Sequence, residues 1–179
     1  MLRKISRLMG MGEAMTHVNA GAVAPDFSVK GVDGTKYSLG ELLQKGPVVA
    51  AFFKISCPVC QFTFPFLERL HQRYGKAATI LGISQDDAKA TKSFAREYGV
   101  TFSMAMDEKE KGYVASNAYG LTSVPTIFLI EPDKTVRVSS TGFVKNELEQ
   151  IAKELAERGK VQAAPLFKPT ESVPANRPG

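Results

Sequence analysis

The chain has 179 residues, with 23 Lys and Arg against 18 Asp and Glu, a formal net charge of +5 and no tryptophan. That length bounds it to one domain with short tails, able to bury roughly 70% of the surface its unfolded chain exposes. No basic stripe with interleaved aromatics marks a nucleic-acid partner, and no run approaches the ~20 apolar residues of a membrane span.

Residues 1–20 read as an N-terminal tail with faint helical spacing at Leu2, Ile5, Leu8 and Met9. Met1-Leu2-Arg3-Lys4 has the charge of a signal-peptide start, but Glu13 closes the apolar stretch that follows. A cytoplasmic protein is therefore expected, with its thiols resting reduced. Ala24-Pro25-Asp26 introduces a strand near Phe27-Ser28-Val29. Asp33-Gly34 is a tight-turn pair, and Thr35-Lys36-Tyr37 returns as a hairpin. Glu41–Lys45 makes one helical turn before Gly46-Pro47.

Residues 48–54 form the first buried strand, apolar from Val48 to Phe53, and residues 58–74 a helix carrying Phe62, Phe66, Leu70 and Tyr74 on one side. Ala78–Ile83 is a second apolar strand. A helix follows with Ala88, Thr91, Phe94, Ala95 and Tyr98 at helical intervals, ended by Gly99. Thr101–Met106 is a strand, Lys109–Tyr119 a helix, and Thr126–Ile130 a strand that Glu131-Pro132-Asp133-Lys134 turns into Thr135–Ser140. Leu148, Ile151, Ala152 and Leu155 mark an amphipathic helix. Residues 161–179 hold Pro165, Pro169, Pro174 and Pro178, which exclude a regular helix; this tail either lies extended on the body or is disordered. Strands alternating with helices argue for a sheet covered on both faces. The domain then spans 21–160, between tails 1–20 and 161–179.

Both cysteines of the chain stand in Cys57-Pro58-Val59-Cys60, between the apolar strand and the helix. Two intervening residues let both sulfurs sit on the first helical turn, where unpaired N–H groups and the positive dipole end favour a thiolate. The thiolate is the attacking species, and a second cysteine one turn on can release whatever the first has captured. Zinc needs four ligands, and His17 and His71 lack the spacing to complete the set, so no metal is expected. A purely structural disulfide across so short a loop would constrain the unfolded chain little. Pro58 suits the first helical position because its missing N–H has no partner there. Pro65 must free the Gln61 carbonyl and bend the helix. His71, far along the helix, is expected to be solvated.

Four features together resemble the thioredoxin-like superfamily, and within it the redoxin (alkyl hydroperoxide reductase/thiol-specific antioxidant) group and its TlpA/ResA-like thiol–disulfide oxidoreductases. They are Ala24-Pro25-Asp26-Phe27, the run Phe52-Phe53-Lys54-Ile55-Ser56-Cys57-Pro58-Val59-Cys60, Pro65, and Val124-Pro125-Thr126 before the last apolar strand. The resemblance covers about residues 23–158. It implies an α/β fold, a thioredoxin-like three-layer α/β/α sandwich whose mixed central sheet carries an N-terminal β-hairpin extension. It implies an enzyme without cofactor that exchanges electrons with protein or small-molecule disulfides, and a thiol electron donor of thioredoxin or glutathione type. Cys57 is then the nucleophile and Cys60 the resolving thiol. Pro125 carries a cis bond facing the sulfurs, and Pro58, Val59, Val124, Pro125 and Thr126 form the substrate surface, along which substrate pairs main chain to main chain.

The departures from the pattern are specific. Thioredoxins carry a buried Asp where this chain has Ala51, and ResA-like proteins a Glu where it has Thr63; both carboxylates take the proton of the second thiol. Ser56 replaces the tryptophan that usually precedes the first cysteine. Lys54 ends the strand three residues before Cys57. A lysine ammonium within about 4–6 Å of a thiolate favours it, so Lys54 is a candidate activating residue; the other reading is a stem packed at the strand end with its head in water. The alternative function is a peroxiredoxin-type thiol peroxidase, with Cys57 attacking peroxide to give a sulfenic acid and Cys60 resolving it. Against it, peroxiredoxins hold Pro and Thr where this chain has Ala50 and Lys54.

Overall fold

A computed structural model describes residues 16–179. The helical spacing at Leu2, Ile5, Leu8 and Met9 lies outside the described residues. Strand β3 (Val48–Phe53) is buried at all six positions because both of its faces are covered. Successive side chains point to opposite faces. Val49, Ala51 and Phe53 thus join one apolar cluster, and Val48, Ala50 and Phe52 the other.

Around β3 the sheet runs β2-β1-β5-β4-β3-β6-β7, with β1 Ser28–Gly31, β2 Lys36–Ser38, β4 Thr79–Ser84, β5 Ser103–Met106, β6 Thr126–Ile130 and β7 Val136–Thr141. Strands β3, β4 and β5 are parallel, and β6 and β7 add antiparallel pairs. The β1–β2 hairpin docks antiparallel on β5 as the expected extension, and Asp33 accepts the Thr35 N–H in its turn (2.9 Å). Helices α2 (Pro58–Tyr74), α3 (Ala88–Glu97) and α5 (Lys145–Arg158) cover the Phe53 face. Helices α1 (Leu39–Leu43) and α4 (Val114–Ala118) cover the Phe52 face, which makes the three-layer α/β/α sandwich. Phe53 seals the first interface with ring centroids 4.3 Å from Phe64 and 4.9 Å from Phe94.

Three elements differ from the sequence reading. The helix expected over Lys109–Tyr119 is broken: a 3-10 turn, Lys109–Lys111, stops at Gly112 and Tyr113, both at positive φ (77° and 53°). The cause is Asp107, a buried carboxylate that accepts the N–H groups of Ala115 (3.1 Å) and Ser116 (2.6 Å), so that a new helix starts there. Residues 16–20, placed in the tail, pack on the sheet: Val18 is buried, and His17 Nε2 lies 3.1 Å from Ser139 Oγ. His71 is half-buried against Phe102 (6.0 Å between rings) rather than solvated, because that side of α2 faces the segment leading into β5, where Glu68 accepts the Thr101 N–H (2.8 Å).

The segment after α5 runs over the body. Leu166 and Phe167 are buried, with Phe167 edge-on to Phe66 (4.8 Å between ring centroids) and Phe143 (5.9 Å). Further on, β9 (Asn176–Arg177) pairs antiparallel with β8 (Phe143–Val144). No helix among the described residues is long and apolar enough to cross a membrane.

Candidate active site

The sheet delivers two loops to one end. The first leaves β3 at Phe53 and turns through Lys54, Ile55 and Ser56 into α2. Cys57 is the N-cap of α2, extended at φ −83° and ψ 113°, and Pro58 occupies the first turn. An N-cap normally accepts a helix N–H through a side-chain oxygen. Here Cys57 Sγ does so, taking the Cys60 N–H at 3.1 Å. The Gln61 N–H adds a bond to the Cys57 carbonyl (3.0 Å).

The second loop precedes β6. Because β6 lies beside β3 in the sheet, it brings Val124-Pro125 over the cysteines, and the Val124–Pro125 bond is cis. Cys57 Sγ–H donates to the Val124 carbonyl at 3.4 Å, a contact between residues 67 apart in the chain. Pro125 is buried, and its carbonyl accepts the Gly142 N–H (2.8 Å). Thr126 is fully buried and donates to the Ser123 carbonyl (2.7 Å), so it holds the loop from beneath, whereas Pro58, Val59 and Val124 reach the rim.

The two thiols have opposite environments. Cys57 is half-buried at the mouth, and Cys60 is fully buried in the same apolar cluster as Ala51 and Phe64. Burial pushes the Cys60 thiol well above its ordinary value, and the adjacent Cys57 sulfur raises it further; the Lys54 backbone works weakly the other way. Thr63, one turn on from Cys60, is also buried, and its hydroxyl is spent on the Val59 carbonyl at 2.6 Å.

Two residues position this turn, and one of them, Asp86, went unseen in the sequence. Asp86, after β4, accepts the Ile55 N–H at 2.8 Å, and Gln61 donates from Nε2 to the Ile55 carbonyl at 2.9 Å. Together they clamp the turn that carries Cys57. The polar run Ser84-Gln85-Asp86-Asp87 at the end of a parallel strand was the available signal, because such strand ends gather at one rim. Lys54 is exposed and lines a cavity of about 190 Å³ with Gln85, Leu121, Thr122, Ser123 and Val124, on the flank of the same loop. Among the described residues, no three His, Cys, Asp or Glu side chains gather to hold a metal.

Residues 20–139 match the AhpC/TSA family. The chain belongs to that family. It is 31% identical over 143 residues to the thiol-disulfide oxidoreductase ResA of Geobacillus thermodenitrificans (strain NG80-2), covering 76% of this chain and 80% of that protein. It is 33% identical over 138 residues to ResA of Bacillus thuringiensis (strain Al Hakam), covering 75% and 78%. In fold it is similar to a putative thiol:disulfide interchange protein DsbE from Chlorobium tepidum, at a TM-score of 0.67 and 23% identity, covering 79% of this chain and 98% of that one. The AhpC/TSA protein described here is thus an enzyme of the thioredoxin-like thiol–disulfide oxidoreductase kind.

Proposed function

We propose that Cys57 and Cys60 cycle between dithiol and disulfide to reduce disulfides of extended polypeptides, with small disulfides as lesser substrates. The observation that carries this reading is the pairing of a half-exposed N-cap sulfur with the Val124 carbonyl, above a second sulfur buried one turn deeper. The Cys57 thiolate attacks one sulfur of the substrate; that S–S bond breaks, and the leaving sulfur takes a proton. Cys60 then gives up its proton and attacks Cys57 Sγ, which frees the second substrate thiol. One substrate disulfide becomes two thiols, and the protein keeps the two-electron oxidation as a Cys57–Cys60 disulfide. A thioredoxin- or glutathione-like thiol donor reverses it. Substrate pairs its main chain along Val124, with Pro58 and Val59 on the opposite lip.

The test offers the reduced protein insulin or hydrogen peroxide and follows thiol loss. Loss with insulin at catalytic rates, and slow loss with micromolar peroxide, is expected. The opposite ranking makes the protein a peroxidase. Slow peroxide turnover agrees with the fully buried Ala50 and the exposed Lys54 at the positions where a peroxidatic site places Pro and Thr.

Lys54 enters this reading as the cation beside the mouth. Lys54→Met is expected to slow alkylation of Cys57 by iodoacetamide at neutral pH, since an ammonium near a thiolate favours it. An unchanged rate leaves Lys54 as a solvated strand end.

A further inference from the structure

The rim that would receive substrate is already covered by the chain itself. Residues 164–171 are fixed across α2: Arg73 donates to the Pro165 carbonyl (2.8 Å), and Arg69 to the Leu166 carbonyl (3.0 Å) and the Glu171 carboxylate (2.8 Å). The Lys168 N–H also reaches Glu171 (2.8 Å), and the Arg69 guanidinium and this N–H hold its carboxyl down to about 2. From that anchor the chain returns to the active site. The Lys145 N–H donates to the Ala175 carbonyl (2.9 Å), Asn176 and Arg177 pair with Val144 and Phe143, and the Arg177 guanidinium lies 3.9 Å from the centre of the Phe62 ring, two residues past Cys60.

Two glycines make the approach possible. A Cβ on Gly142 would lie 2.5 Å from the Arg177 carbonyl oxygen and 3.0 Å from Gly179 N. A Cβ on Gly179 would lie 2.4 Å from the Val124 carbonyl oxygen and 3.2 Å from Ser123 Oγ. The backbone of Gly179 therefore presses on the same carbonyl that receives the Cys57 thiol.

We propose that Asn176–Gly179 is a built-in occupant of the docking face, and that an extended segment of substrate polypeptide takes its place beside β8 and Val124. This rests on the proposed polypeptide-disulfide activity. The strap is suited to leaving. All four residues are exposed, the paired strand is two residues long, and the side-chain anchors, the Glu171 carboxylate and the core-packed Val173, both lie before it. It also describes what displaces it: a strand with a small residue against Val124 and a cation or flat apolar group over Phe62. Cys57 remains half-exposed with the strap seated, so a small disulfide reaches it without displacing anything.

Gly179→Val and Arg177→Ala in the full chain test this. The first clashes with the Val124 carbonyl and the second removes the stack on Phe62, and neither changes the residue at Cys57, Cys60 or Val124. For insulin, KM falls about five- to tenfold at unchanged kcat, as when a competing closed state is removed. Turnover of hydroxyethyl disulfide does not change. An insulin KM that stays put or rises in both variants overturns the proposal, since a rise would make the tail part of the docking surface. If no disulfide is reduced by any form, the activity itself fails and the strap is judged by binding. Oxidised insulin is then titrated onto the Cys57→Ser, Cys60→Ser double variant, with and without Gly179→Val. Tighter binding with Gly179→Val sustains the strap, and equal binding ends it.

Discussion

Cys57→Ser removes disulfide reduction, with a loss on the order of 10³-fold or more in kcat/KM, because nothing else at the rim can form the first covalent bond. Cys60→Ser gives a different failure. Cys57 Sγ still sits at the mouth, so one attack occurs and the product stays attached. Mass spectrometry after mixing with an oxidised polypeptide is expected to find a stoichiometric adduct on Cys57 in Cys60→Ser and none in Cys57→Ser. The asymmetry follows from burial: Cys57 is half-exposed, and Cys60 is fully enclosed beneath the first turn of α2. An adduct on Cys60 in Cys57→Ser would exchange the two roles and would require the turn to open.

The convergence of Cys57 with Val124-Pro125, 67 residues apart in the chain, was legible only through the family resemblance, and the fold delivers it because β6 lies beside β3. A six-residue run buried on both faces must be central, and a second such run pairs beside it. The hairpin at Asp33-Gly34 was legible for a local reason, the turn chemistry itself. The break at Gly112-Tyr113 was hidden, because it depends on Asp107 reaching past the 3-10 turn to Ala115 and Ser116, a contact that no periodicity records. Asp86 was hidden likewise; its bond to Ile55 spans 31 residues and exists only because β4 and β3 end side by side.

The tail was the hardest to read. Prolines excluded a helix correctly, but whether the segment adheres is decided by two apolar residues, Leu166 and Phe167, and by the aromatic pocket of Phe66 and Phe143 that receives them. Asn176 and Arg177 carry no hydrophobic signal at all. They are placed by main-chain pairing and by glycines at 142 and 179, whose meaning appears only when the facing carbonyls are known.

The resolving step is expected to be limited by the proton on Cys60. Burial holds that thiol above its ordinary 9.0, and the positions where relatives of this fold place a carboxylate carry Ala51 and Thr63. Release of the trapped substrate therefore rises about tenfold per pH unit through neutral and mildly alkaline solution, following the thiolate fraction of Cys60. Thr63→Glu puts a carboxyl one helical turn from Cys60, in a site fully closed to water, where burial raises its own pKa toward the range of a useful base. The release rate near pH 7 should then rise on the order of 10²-fold, and its pH slope should flatten. Stopped-flow measurement of mixed-disulfide decay reads both effects. A flat profile in the unaltered protein would mean that another step limits release. The same shift has a sign for stability. A thiol whose folded-state value is raised contributes its full stability below pH 9.0 and loses it as pH climbs toward the folded value, because the unfolded chain ionises first. The reduced protein should therefore weaken above that point, while the disulfide form, which has no such proton, should not. Denaturant midpoints of the two forms compared across this range separate the buried thiol from every other alkaline titration in the chain.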